Sequence, residues 1–229
     1  MDSVWINHLE KEMQQQYFVE LKAFVKAQQA QKHVYPENAL IFNAFEQCPW
    51  YDLKVVILGT EPQTNGGDHG LAYSSTKGTF EAQQNIFKEI LDDDLSVFRH
   101  VNYNLFKTAN LIQWAKQGVL LLNVLLTAEK DKKQAHANKG WETFTGNTLN
   151  MISDKKDPMV FMLWGKMAQE YKPFIDDKKH LVLEASHPSS YTAMQGFFGC
   201  KHFSQANDFI VKNYINKANQ KVGIAWNLL

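Results

Sequence analysis

Four dense apolar runs constrain this chain more than any other feature of its sequence. Lys54-Val55-Val56-Ile57-Leu58-Gly59, Gly118-Val119-Leu120-Leu121-Leu122-Asn123, Met159–Gly165 and His180–His187 hold almost no alternating polar residues. A strand with one wet face would alternate; a continuous run describes a strand buried on both faces, as parallel sheets demand. Helical patterns lie between and beyond these runs, at Phe80–Leu91, Leu105–Lys116, Trp141–Ser153 and Lys166–Phe174. Strands alternating with helices predict an α/β fold: a central, mostly parallel four-stranded sheet flanked by helices on both faces. Upstream, Leu9, Met13, Phe18, Leu21, Phe24 and Val25 recur at helical steps and predict one amphipathic helix over His8–His33. Tyr35-Pro36-Glu37-Asn38 breaks it, and a short helix over Ile41–Phe45 follows, ended by Pro49.

Composition narrows the function classes. The 229 residues carry 24 Lys+Arg against 24 Asp+Glu, so there is no global basic field of the kind that tail-driven polyanion binders use. Hydrophobic residues are 45% of the chain, enough for a substantial core, and no internal repeat, linker or low-complexity tract divides it. A single domain over 1–229 is the expectation. Cys48 and Cys200 are the only thiols, too few for a disulfide framework or a four-ligand zinc site. No run approaches the roughly 18 apolar residues of a membrane span, and Met1–Glu10 has no apolar leader segment. These features predict a cytoplasmic protein with no metal, no cofactor and no membrane partner.

In parallel α/β sheets ligands bind in the crevice at the carboxyl ends of the strands. Those ends carry Glu61, Asn123, Trp164 with Gly165, and His187. One strand-end Asn or His is ordinarily a turn or capping residue. A carboxylate, an amide and an imidazole brought to one rim form a candidate active site. No phosphate-binding loop or dinucleotide fingerprint follows any of the strands, which argues against a generic nucleotide-binding protein.

At these residues the sequence resembles the uracil-DNA glycosylase family. His187-Pro188-Ser189-Ser190-Tyr191-Thr192-Ala193-Met194-Gln195-Gly196-Phe197-Phe198-Gly199-Cys200-Lys201-His202-Phe203-Ser204-Gln205-Ala206-Asn207 is similar to the family segment HPSPLSxxRGFFGCxHFSxAN. Leu120-Leu121-Leu122-Asn123 with Leu126-Thr127 resembles LLLNxxLT, and Gly140-Trp141-Glu142-Thr143-Phe144-Thr145 resembles GWETFT. The resemblance spans Val34 to Asn207 and implies the family's three-layer α/β fold.

The first motif departs from the family. Where the family reads GQDPYHGPGQAHGLAFS, this chain reads Gly59-Thr60-Glu61-Pro62-Gln63-Thr64-Asn65-Gly66-Gly67-Asp68-His69-Gly70-Leu71-Ala72-Tyr73-Ser74, one residue shorter. Glu61 stands for the water-positioning Asp, Gln63 for Tyr, Thr64 for His and Tyr73 for the stacking Phe. Thr76–Glu81 replaces the proline-rich loop, and Tyr191 replaces the Leu that wedges into the base stack.

The resemblance implies a monofunctional DNA glycosylase that flips one pyrimidine nucleotide, hydrolyses its N-glycosidic bond and leaves an abasic site. Glu61 and His187 are then the catalytic pair; Asn123, Tyr73, Gln63 and Thr60 form the base pocket. Tyr191, Ser189, Ser190, Ser74 and Lys201 face DNA, a local patch that a neutral chain can carry. His69, His136 and His202 read as structural, and Lys130–Lys133 as a solvated loop. DNA is the expected partner of a monomer, with a protein that mimics DNA as an inhibitor. Because Gln63 is smaller than Tyr, the side of the pocket beside pyrimidine C5 opens, and a 5-modified base such as glucosylated 5-hydroxymethylcytosine of phage DNA is the substrate first expected. Uracil repair is the alternative within this class, and a catalytically silent DNA-binding module is the alternative outside it.

Overall fold

A computed structural model describes residues 3–93, 108–214 and 223–227. The four apolar runs form the sheet: β2 Val55–Gly59, β3 Val119–Asn123, β5 Val160–Trp164 and β6 Leu181–Ala185, in spatial order β3-β2-β5-β6 and parallel throughout. Every residue of β2, β3 and β5 is buried, which requires cover on both faces; β6, at the edge, alternates into partial exposure. A short antiparallel pair, β1 Val34–Tyr35 with β4 Ala128–Glu129, lies apart from this sheet.

The helices are α1 Ser3–Met13, α2 Gln16–Gln31, α3 Asn43–Gln47, α4 Glu81–Asp92, α5 Ile112–Ala115, α6 Trp141–Lys155, α7 Lys166–Gln169 and α8 His202–Asn213. The single N-terminal helix expected over His8–His33 is two helices, interrupted at Gln15, whose backbone is extended. Phase explains the break. Leu9 and Phe18 are both buried yet nine residues apart, which on a straight helix of 3.6 residues per turn would set them on opposite faces. The expected helix over Leu105–Lys116 begins outside the described residues; within them α5 covers its end. The short helix expected at Ile41–Phe45 falls at α3, two residues later. Among the described residues no helix is long and apolar enough to cross a membrane.

Strand register levels the rim. Gly59 is opposite Asn123, Leu58 opposite Leu163, and Trp164 opposite Ala185, so the four carboxyl ends finish in one row. Neighbouring strands stand about 4.8 Å apart, which places side chains from adjacent ends within reach of one small molecule.

Candidate active site

Gly59 makes room for the amide beside it. A β-carbon there would lie 2.4 Å from Asn123 Oδ1 and 2.8 Å from Ala72 Cβ, so the strand end tolerates only glycine while Asn123 keeps its place. Asn123 is 7% exposed, and its amide atoms are not among the sealed side-chain atoms left without a partner, so the little exposure it keeps is at the rim. An amide that is held in place and still open to the rim can give one donor and accept at one oxygen, which suits it to a ligand.

Tyr73 forms the neighbouring wall. Its backbone is left-handed (φ 61°), a conformation costing a bulky residue on the order of 1–3 kcal/mol. The surroundings hold it there: fully buried Gln83 donates from Nε2 to Tyr73 O at 2.7 Å and to Ala109 O at 2.6 Å. The ring sits 5.4 Å from Trp164 and 5.9 Å from His187, centroid to centroid. Its buried hydroxyl has no partner among the described residues, and burial raises its pKa.

His187 follows β6. The Ser189 N–H donates to His187 Nδ1 at 3.1 Å, so the neutral ring carries its proton on Nε2. Burial lowers the pKa of His187, favouring that neutral form. Gly165, left-handed at φ 89°, lets the ring approach: a β-carbon there would meet His187 Cβ at 2.8 Å.

Glu61 lies just past β2, half-buried. The backbone N–H of Gln134 donates to both its oxygens, at 3.2 and 2.9 Å. Burial raises its pKa, and the Gln134 N–H and the nearby Lys133 charge act in the opposite direction. Lys130–Lys133, expected to be a solvated loop, are exposed, and the 130–138 segment that contains them is also the fixture of Glu61 through Gln134. It contains three left-handed residues, Asp131, Gln134 and Asn138. It is anchored inside by His136, whose Nδ1 lies 2.7 Å from Thr127 Oγ1, the hydroxyl that Trp141 Nε1 also reaches at 2.7 Å.

The remaining expected residues separate into two groups. Tyr191 projects at 88% exposure with Met194 beside it at 81%, a pair of apolar side chains that the core does not claim. Ser190 and Lys201 are exposed on the same segment. Ser189 is half-buried and its hydroxyl meets Thr192 Oγ1 at 2.9 Å. Gln63 is half-buried, and so is Thr60, whose carbonyl accepts from Leu125 N–H. Ser74 is corrected. It is 0% exposed, with its hydroxyl 2.7 Å from His69 Nε2 and accepting from Leu111 N–H at 2.8 Å, so it braces the loop instead of meeting a phosphate.

Sequence reading missed the supports. Asn85, Glu89 and Asp93 recur every four residues along α4 and its end, hence on one face. They hold Pro188 O (2.8 Å), the N–H groups of Gly199 and Lys201 (2.7 and 2.9 Å) and Ser204 (2.8 Å to its N–H), so one helix face fixes both ends of the Tyr191 segment. Polar residues at i, i+4, i+8 on a helix otherwise apolar on that side were the available signal. Gln134 left none, since only its backbone acts.

A cavity of about 440 Å³ between α1, α2 and the start of α6 shares no residue with the rim. Among the described residues no group of three or more His, Cys, Asp or Glu side chains is placed to hold a metal ion.

A parallel sheet that brings an amide, an aromatic ring and an imidazole together at its carboxyl rim, with a carboxylate just past β2, is the scaffold of an α/β enzyme. A family model described as the uracil DNA glycosylase superfamily matches residues 45–210, and the chain belongs to that superfamily. It is 42% identical over 229 residues to a uracil-DNA glycosylase of Bacteroides thetaiotaomicron, covering 99% of this chain and 98% of that one. It is 41% identical over 212 residues to a uracil-DNA glycosylase of Geobacillus kaustophilus, covering 91% and 90%. Among solved structures, mimivirus uracil-DNA glycosylase superposes with a TM-score of 0.86 at 23% identity, over 100% of this chain and 87% of the other, which shows the shared fold.

Proposed function

We propose that this chain is a uracil-DNA glycosylase, acting as one domain in the cytoplasm on a flipped-out uracil nucleotide. The observation that carries this reading is Asn123: an amide in a residue only 7% exposed, level with Gly59 and beside the Tyr73 ring. Uracil offers an acceptor at O4 and a donor at N3, which the amide's donor and acceptor match. The curated relatives, matched over nearly their whole length, carry the uracil-specific name, and for that reason uracil takes precedence over the modified base first expected from Gln63.

Chemistry follows from the rim. As the bond between C1′ and the base nitrogen breaks, its electron pair leaves with the base and collects partly on O2. The Nε2–H of His187 donates to that oxygen. A water attacks the positively charged C1′ and gives its proton to Glu61. Tyr191, with Met194, holds the gap in the stack, and Lys201 and Ser190 meet the backbone. Two mimivirus structures were solved in complex with UGI; the same rim here would receive such an inhibitor.

The test is an abasic-site assay on oligonucleotides carrying uracil, thymine, 5-hydroxymethylcytosine or its glucoside. Uracil release is expected, and Asn123→Ala is expected to lower kcat/KM by roughly 10²-fold, two hydrogen bonds of about 1.5 kcal/mol each. DNA binding without release of any base would replace this reading with a silent binding module.

A second reading, release of a 5-modified pyrimidine of phage DNA in host defence, is favoured by one position. Gln63, in the family's Tyr place, makes no side-chain hydrogen bond among the described residues. Gln63→Tyr is expected to leave uracil release within a few-fold and to cut any release of 5-substituted bases by about tenfold or more. Equal loss on both substrates would remove Gln63 from the specificity account.

A further inference from the structure

We propose that Asp68 is a positioning residue for base release: its carboxylate clasps both legs of the 61–70 loop and thereby fixes Glu61 against the strand rim. This rests on the reading of Glu61 as the catalytic carboxylate. Asp68 Oδ2 accepts from the Gln63 N–H at 2.9 Å, and its Oδ1 from the Gly70 N–H at 2.8 Å. One side chain thus bridges the leg that leaves β2 and the leg that returns.

The two legs are unequal. The returning leg is built into the protein: Asn43 Nδ2 donates to His69 O at 2.7 Å, His69 Nε2 meets buried Ser74 Oγ, and Gly70 packs so closely on the chain at Leu40 that a β-carbon would lie 1.9 Å from Leu40 O. The outgoing leg is Glu61-Pro62-Gln63. Proline has no N–H to give, so the first backbone donor after Glu61 is that of Gln63, and Asp68 takes it. Pro62 also fixes its own φ, which leaves few soft torsions between the clasp and Glu61. The backbone next to Glu61 is thus held at Gln63, and its carboxylate at the Gln134 N–H.

The need for a clasp is local to this sequence. Glu61 is one methylene longer than Asp, with an added rotatable bond, and the loop around it holds Gly66 and Gly67. In the resembling family segment the residue at Asp68 is alanine. Burying a carboxylate costs free energy, which burial expresses here by pushing the Asp68 pKa up to about 6. Such a charge persists where its hydrogen bonds are used.

The experiment is a double-mutant cycle read by single-turnover uracil release, with KM and melting temperature measured alongside. Asp68→Ala is expected to lower kcat by about 10²-fold, the cost of misplacing a reacting group by about 1 Å, with KM within twofold. Asp68→Asn, which keeps one acceptor oxygen, is expected to lie between Ala and the parent chain. In a Glu61→Gln background Asp68→Ala is expected to cost nothing further, because the residue acts through Glu61. Full additivity in that background, or an unchanged kcat in Asp68→Ala, would overturn the inference. So would a kcat loss that tracks melting temperature across both variants. A parent chain that releases no base would instead overturn the proposed function, and with it this inference.

Discussion

Glu61→Gln is expected to reduce single-turnover base release by about 10³-fold while the folded chain survives intact. The loss lies within the 10²–10⁴-fold that a positioned acid or base contributes. Glutamine keeps the length and one oxygen for the Gln134 N–H, so the loop has no reason to move. On the proposed mechanism, what disappears is the negative charge that faces the developing positive sugar and the basic oxygen that takes the water's proton. Burial raises the Glu61 pKa, so the reacting carboxylate is lost at a higher pH than for an ordinary glutamate, and the acid limb of kcat/KM should be displaced upward accordingly. For stability the sign runs the other way. A carboxyl whose folded pKa is raised contributes stability below its unfolded pKa and loses it as pH rises through the folded value. Glu61→Gln is therefore expected to gain on the parent chain, slightly, in melts at pH 8 compared with pH 4. A variant that retained a tenth or more of the parent rate would remove Glu61 from the chemistry.

How much of this was legible beforehand depends on which physics carried the signal. The strands were: an unbroken run such as Val119–Asn123 has one reading in a parallel sheet, and all four runs became its strands. The rim was legible because register puts strand ends level, and Gly59 and Asn123 finish opposite each other. The break between α1 and α2 was not, because composition there is uniformly helical and only the phase of buried positions marks it. Ser74 was misread for a related reason. A serine in a turn resembles a phosphate contact in one dimension, and only tertiary packing shows its hydroxyl enclosed by His69 and Leu111. Supports that act through backbone, such as the Gln134 N–H, leave no trace in side-chain identity. The target base is the case where local sequence and overall similarity diverge. Gln63 points to a wider pocket, whereas relatives at about 40% identity point to uracil, and similarity over the whole chain weighs more than one loop position.

His187→Ala is expected to lower single-turnover release by about 10²–10³-fold with modest change in DNA affinity. That is the cost of removing one preorganised donor from a developing oxyanion. The assignment turns on the proton's location. With Nδ1 accepting from the Ser189 N–H, a neutral ring donates only through Nε2, and a protonated ring would set two N–H groups against each other at the Ser189 end. Burial pushes the pKa down, so the neutral donor persists to lower pH than in free histidine. The rate should consequently pass through the ordinary histidine range, near pH 6.5, without a step assignable to His187. The linked stability has the opposite window to that of Glu61: a depressed histidine pKa contributes stability above the unfolded value and loses it as pH falls through the folded one. His187→Gln, whose amide N–H can reach toward the same oxygen, should recover part of what alanine loses. A step near pH 6.5 that vanished in His187→Ala would instead make the imidazolium the working species, and the Nε2–H donor account would be lost.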